Sequence, residues 1–113
     1  MTTLYGIPNC DTVKKAQRWL QANGIEFSFH DFRKDGLEQQ QLEQWAATLG
    51  WETLLNKRST SWRQLDDEIK NNIDEQSAIR EMLISPTLIK RPLLELNGQY
   101  QVGFKEANYA SLF

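Results

Sequence analysis

In the stretch Leu4-Tyr5-Gly6-Ile7-Pro8-Asn9-Cys10-Asp11-Thr12-Val13-Lys14-Lys15-Ala16, a short apolar run from Leu4 to Ile7, interrupted by Gly6, reads as a buried strand. Pro8 has no N–H to give to a ladder and turns the chain. Beyond Cys10, the residues Val13, Ala16, Trp19 and Leu20 recur at helical spacing, while Lys14, Lys15, Arg18 and Gln21 fall on the other side. A helix therefore begins at or beside the cysteine. The only thiol in the chain stands where a strand hands over to a helix N-terminus.

The first N–H groups of a helix lack intrahelical partners and carry the positive end of its dipole, so an anion is stabilised there. A thiolate is such an anion, and Lys14, one turn on, adds positive charge. Asp11 opposes this, because its carboxylate repels a thiolate. The competing role for Cys10 is a small buried hydrophobe, the commonest fate of a free cysteine. The polar surroundings Asn9-Cys10-Asp11-Thr12 favour a reactive thiol instead.

At 113 residues, with 40% hydrophobic and 25% charged residues, the chain suits one soluble globular domain. A net charge of -2 gives no general attraction to nucleic acid or to an anionic membrane. Neither a signal peptide nor a spanning helix is legible, and a cytoplasmic location is expected. One cysteine excludes an intramolecular disulfide and a cysteine-rich metal site, so redox chemistry needs a second thiol from elsewhere. No metal site is expected.

Asn23-Gly24 closes the first helix, and Ile25-Glu26-Phe27-Ser28-Phe29 alternates as a half-buried strand. Strand, helix, strand at this spacing predicts a parallel βαβ unit. His30, the only histidine, reads as a strand-end residue beside Asp31 rather than a general base, since no catalytic partner is visible near it. After the charged loop Arg33–Gly36, Leu42, Trp45, Ala46 and Leu49 form a helical stripe ended by Gly50. Trp51, Leu54 and Leu55 suggest a short helix. In the polar, basic run Asn56–Ser61, Ser61 and Gln64 have capping-box spacing, and Trp62, Leu65 and Ile69 are expected to continue one helical face. Ile79, Met82 and Leu83 belong to a further helix stopped by Ser85-Pro86. Trp19, Trp45 and Trp62 are expected in the core, with Trp51 the one tryptophan to watch.

Leu93-Leu94-Glu95-Leu96 and Gln99-Tyr100-Gln101-Val102-Gly103 flank Asn97-Gly98, the strongest short hairpin signal. A last helix over Lys105–Leu112 is expected to pack Ala107, Ala110 and Leu112 or Phe113 on the sheet. The order βαβ, helical insert, ββα predicts an α/β thioredoxin-like fold. It has a mixed four-stranded sheet, a core of about 1–36 and 84–113, and an all-helical insert at about 37–83 in a single domain 1–113. The loop after strand one then lies near Lys90-Arg91-Pro92, at the start of strand three.

Tyr5-Gly6-Ile7-Pro8-Asn9-Cys10-Asp11-Thr12, Asn56-Lys57-Arg58-Ser59, Ile89-Lys90-Arg91-Pro92 and Val102-Gly103-Phe104 together resemble the arsenate-reductase-related ArsC/Spx family, closest to its YffB-type branch. The resemblance covers essentially the whole chain. It implies that Cys10 is the nucleophile, that Arg91 holds an anion or thiolate, and that Pro92 is a cis-proline shaping the site. X–Pro is the only common setting for a cis bond, and an arginine fork suits both roles. On this resemblance Arg58 looks like the basic residue of the insert that faces the cysteine in the Spx-like branch, whereas likeness to the arsenate-reductase branch puts the corresponding arginine at Asn56. By the same resemblance Asn9, Asp11, Thr12, Lys14, Pro92 and Lys105 line a glutathione or substrate site.

Two departures bear on function. Arsenate reductases of this type use a third arginine near the chain end, and Phe104 stands there, with Lys105 beside it. Spx-type regulators carry a second cysteine one turn after the first, and Val13 stands there. The expected function is a thiol-dependent, glutathione-using reductase acting on disulfides or mixed disulfides, with glutathione as co-substrate, no bound cofactor, and a monomeric state. One alternative is a Spx-like module that binds RNA polymerase through the insert, where Gly50-Trp51-Glu52-Thr53-Leu54-Leu55 resembles the contact segment. The other is arsenate reduction itself.

Overall fold

Residues 2–113 are described by the computed structural model. β1 (Thr2–Gly6) and β2 (Ser28–Asp31) pair in parallel, with Leu4 opposite Phe29 and Tyr5 opposite His30. Between them runs α1 (Asp11–Ala22). β3 (Leu93–Leu96) pairs antiparallel with β1, Tyr5 opposite Leu93, and then with β4 (Gln99–Val102). The sheet order is β2-β1-β3-β4, the mixed four-stranded sheet of a thioredoxin-like fold. Asn97 and Gly98 both have positive φ, 50° and 82°, as a two-residue hairpin with the strands' own twist requires.

α1 ends in a Schellman motif, and this moves the start of β2. The Gly24 N–H donates to the Gln21 carbonyl and the Ile25 N–H to the Leu20 carbonyl. The Ile25 amide is thereby committed to the helix end, and Ile25 and Phe27 lean on the core cluster that includes Leu20. The strand expected from Ile25 begins only at Ser28 and extends to Asp31.

One face of the sheet is closed by α1 and α7 (Glu106–Leu112) around Leu4, Ala16, Leu20, Leu94 and Tyr109. Each of these leucines is at most 1% exposed, and burying such a side chain contributes roughly 1.5–3 kcal/mol. The α7 face differs from the expected one. Ala107 and Ala110 are exposed, whereas Tyr109 is fully buried, with the rings of Phe104 and Trp19 edge-on to it at 4.8 and 5.7 Å. An aromatic with two edge partners buries far more apolar surface than two alanines. The Tyr109 hydroxyl has no partner among the described residues, and burial pushes its ionisation up. Tyr109→Phe is therefore expected to be neutral or to stabilise by up to about 1 kcal/mol, read from the urea midpoint. A loss of more than about 1 kcal/mol would mean that the hydroxyl is satisfied.

Residues 36–90 form a second compact unit, and 1–35 with 91–113 form the first. The second unit packs α2 (Gln39–Leu49), α3 (Trp51–Leu54) and α6 (Glu75–Ile84) around Leu42, Trp45, Leu54, Ile79 and Met82. Its closing segment includes a 3-10 turn, Pro86–Leu88, and a bridge between Leu55 and Ile89. Of the tryptophans expected in the core, Trp45 is 1% exposed, while Trp19 and Trp62 are only half-buried. The face expected over Trp62, Leu65 and Ile69 is broken into α4 (Thr60–Arg63) and α5 (Asp67–Asn71). The α4 cap is Ser59, whose hydroxyl accepts from the Trp62 N–H, and not Ser61, whose hydroxyl is bonded to Thr87.

The capping box of this unit is at α6, where Asp74 accepts from the Ser77 N–H at 2.8 Å and the Ser77 hydroxyl accepts from the Asp74 N–H at 3.0 Å. The Ser77 amide bond, foremost among its causes, holds the Asp74 carboxyl below its ordinary 3.8. A depressed folded value contributes stability above the unfolded value, and that contribution is lost as pH falls through the folded one. The melting-temperature gap between wild type and Asp74→Ala is thus expected at neutral pH and should shrink below pH 3.8. A gap independent of pH would assign it to something other than the carboxylate. Among the described residues no helix is long and apolar enough to cross a membrane.

Candidate active site

Cys10 is the N-cap of α1, with extended φ −93° and ψ 124°. Its N–H donates to the Ile7 carbonyl at 3.2 Å, and its own carbonyl accepts the first helical bond, from the Lys14 N–H at 3.0 Å. The amides of Asp11, Thr12 and Val13 precede that bond and so have no carbonyl within the helix to donate to. An N-cap side chain lies beside the second and third of them, at the positive end of the dipole. The Cys10 thiol makes no cap bond and is half-buried, within reach of solvent.

What holds α1 at this spot is Gly6. A Cβ there would lie 2.8 Å from Cγ2 and 3.3 Å from Cγ1 of Val13, which is fully buried. The strand end thus accepts the first turn of the helix at a distance only glycine permits. Glycine inside a strand pattern was the available sequence signal; its partner Val13 was not legible.

The β1–β3 register brings in the second element of the site. With Tyr5 opposite Leu93, the Cys10 loop leaves β1 at the end of the sheet where Arg91-Pro92 enters β3. The Arg91–Pro92 bond is cis. Pro92 is buried and its carbonyl accepts from the Gly103 N–H at 2.9 Å, which draws the segment leading to Lys105 to the same end. Arg91 is half-buried, and its Nε is buried without a hydrogen-bond partner among the described residues. Neither the N–H nor the carbonyl of Arg91 enters a backbone hydrogen bond among them.

Asn9, Asp11 and Lys14 are exposed, Thr12 is half-buried, and Lys105 is the exposed N-cap of α7. His30 sits on β2 with its ring 4.9 Å from that of Tyr5. In the helical unit, Arg58 is exposed and its N–H donates to the Asn56 side-chain oxygen at 3.0 Å, closing an Asx turn. Phe104, at the position of the third arginine of arsenate reductases, is half-buried and packs against the core through its edge contact with Tyr109. Val13, at the position of a second cysteine, is a core residue.

The ArsC family model matches residues 5–112. An uncharacterized protein of Haemophilus influenzae is 48% identical over 113 residues, covering 100% of this chain and 99% of that protein. The global transcriptional regulator Spx of Lactiplantibacillus plantarum is 29% identical over 108 residues, 94% of this chain and 81% of its own length. A solved structure of the YffB protein superposes with a TM-score of 0.94 at 45% identity, over 98% of this chain and 97% of that one. With its motifs spread over both units and its fold shared throughout, the chain belongs to the ArsC family and to the YffB-type branch of it.

Proposed function

We propose that this protein is a glutathione-dependent thiol reductase in which Cys10 is the nucleophile. In the first step the Cys10 thiolate attacks one sulfur of a glutathione mixed disulfide. The new bond joins Cys10 to the glutathionyl sulfur, the old S–S bond breaks, and the substrate sulfur leaves with the electron pair and takes a proton. A second glutathione thiolate then attacks the Cys10 mixed disulfide, releasing oxidised glutathione and restoring the Cys10 thiolate. Across both steps, the mixed disulfide and one free glutathione yield the substrate thiol and oxidised glutathione, so the substrate sulfur is reduced while the free glutathione is oxidised.

The observation that carries this reading is the placement of Cys10 as the cap of α1 at the sheet end shared with Arg91-Pro92. The helical amides beside the cap position can donate to negative charge on the sulfur as it attacks and as it leaves. The main chain of Arg91, unpaired among the described residues, suits an extended tripeptide, as strand addition requires, and its half-buried guanidinium suits a carboxylate. Arsenate as substrate is less well supported, because the position of the third arginine is filled by a phenylalanine packed against the core. The Spx likeness supports a second reading, a polymerase-binding module, in which Gly50, at φ 89°, would set the turn into α3. That reading needs no chemistry at Cys10. Intact-mass spectrometry after exposure to oxidised glutathione, followed by turnover of a glutathione mixed disulfide, separates the two.

A further inference from the structure

α1 presents a basic row that starts at Lys14 and runs on, away from Cys10, through two cations the reaction itself does not use. Lys14, Lys15 and Arg18 are exposed and recur at three- and four-residue spacing, on the side opposite the buried Val13, Ala16 and Leu20. The row begins one turn from Cys10. Asp11 lies three and four residues before the lysines, on the same side, yet it forms no ion pair among the described residues. Among the described residues the only pairs are Lys70–Asp67 and Arg80–Glu81, both in the other unit. Helix stability does not account for the row either. Cations gain from the helix dipole in the last turn, and α1 has none there.

The charge is also uneven along the chain. Residues 36–90 hold six Lys/Arg against nine Asp/Glu, whereas 1–35 with 91–113 hold seven against six, three of the seven on this row. We propose that the Lys14–Lys15–Arg18 row docks an acidic segment of a polypeptide substrate, steering a protein-bound disulfide toward Cys10. This rests on the reductase reading and names its substrate class. The fit is by charge complementarity, which acts chiefly on encounter rate and on rejection of wrong partners. An anionic membrane fits less well, because the apolar side of α1 is spent in the core and the exposed large hydrophobics are Ile84 and Phe113, not residues of α1.

The test separates docking from chemistry by using the full chain carrying Cys10→Ser, in which no exchange can occur. A fluorescein-labelled peptide with Glu and Asp flanking one serine, and its Lys-substituted counterpart, are titrated by anisotropy. The acidic peptide is expected to bind about ten-fold more tightly at low salt, with the advantage fading as salt rises. Adding Lys15→Glu and Arg18→Glu should abolish the preference. In the protein with Cys10 intact, the same pair of changes should lower kcat/KM for an acidic peptide–glutathione mixed disulfide about ten-fold more than for its Lys-substituted counterpart. Equal binding of both peptides, a preference that survives the charge reversal, or sedimentation with phosphatidylglycerol vesicles without peptide binding would each overturn the proposal. Loss of adduct formation in wild type with peptide preference intact would overturn the reductase reading alone.

Discussion

Cys10→Ser is expected to eliminate the glutathionyl adduct and all mixed-disulfide turnover while making the protein slightly more stable. The two effects run in opposite directions because they have different origins. Serine has nearly the shape of cysteine but is a preferred N-cap, and its hydroxyl accepts from the Thr12 or Val13 amide that the thiol leaves unused. The gain should be a few tenths to about 1 kcal/mol in the urea midpoint. The chemistry, in contrast, needs a sulfur that can exchange disulfides, and no second cysteine exists to replace it. Mass spectrometry should find one glutathionyl group on wild type and none on the variant. An unmodified wild type, or turnover surviving in the variant, would remove Cys10 from the reaction and leave the binding-module reading.

Gly6→Ala is expected to cost about 1–3 kcal/mol, an overpacking penalty with no escape route. The added methyl meets Val13 Cγ2 at 2.8 Å, and a β-branched residue within a helix is held close to one rotamer. The strand cannot withdraw either, since Gly6 pairs with Asp31 and its carbonyl accepts from the Phe32 N–H at 3.0 Å. The start of α1 has to move outward, and Cys10 with it, so adduct formation should slow as well. Trimming Val13 in the double variant Gly6→Ala/Val13→Ala should recover part of the loss, giving a total smaller than the sum of the single changes. Strict additivity of the two denaturation midpoints would show that this contact does not set the approach of helix to strand.

The arrangement around Cys10 was readable from the chain because each signal is local. A strand stopped by Pro8, a helical period resuming at Val13, and Asn97-Gly98 between two strand runs all act within a few residues. They are realised as the N-cap at Cys10 and the positive-φ pair in the hairpin. The segments in which the fold departs from the local pattern have equally definite causes. Ile25 looked like the first residue of a strand, but its amide is used by the end of α1. Ser61 had the right spacing for a cap, but its hydroxyl is engaged by Thr87, twenty-six residues away, and Ser59 caps instead. The alanines of α7 gave a plausible apolar face, yet Phe104 and Trp19 meet at Tyr109.

The amino-acid order by itself determined the succession of strands and helices, the cysteine at the head of α1 and the hairpin, since turn chemistry and hydrophobic period are short-range properties of the chain. Only the tertiary structure decided that Gly6 must stay bare for Val13, that Tyr109 is the buried residue of its helix, and that Arg91 keeps a buried nitrogen without a partner among the described residues. Those outcomes depend on which atoms from distant parts of the sequence arrive at the same place, and no local pattern encodes that meeting.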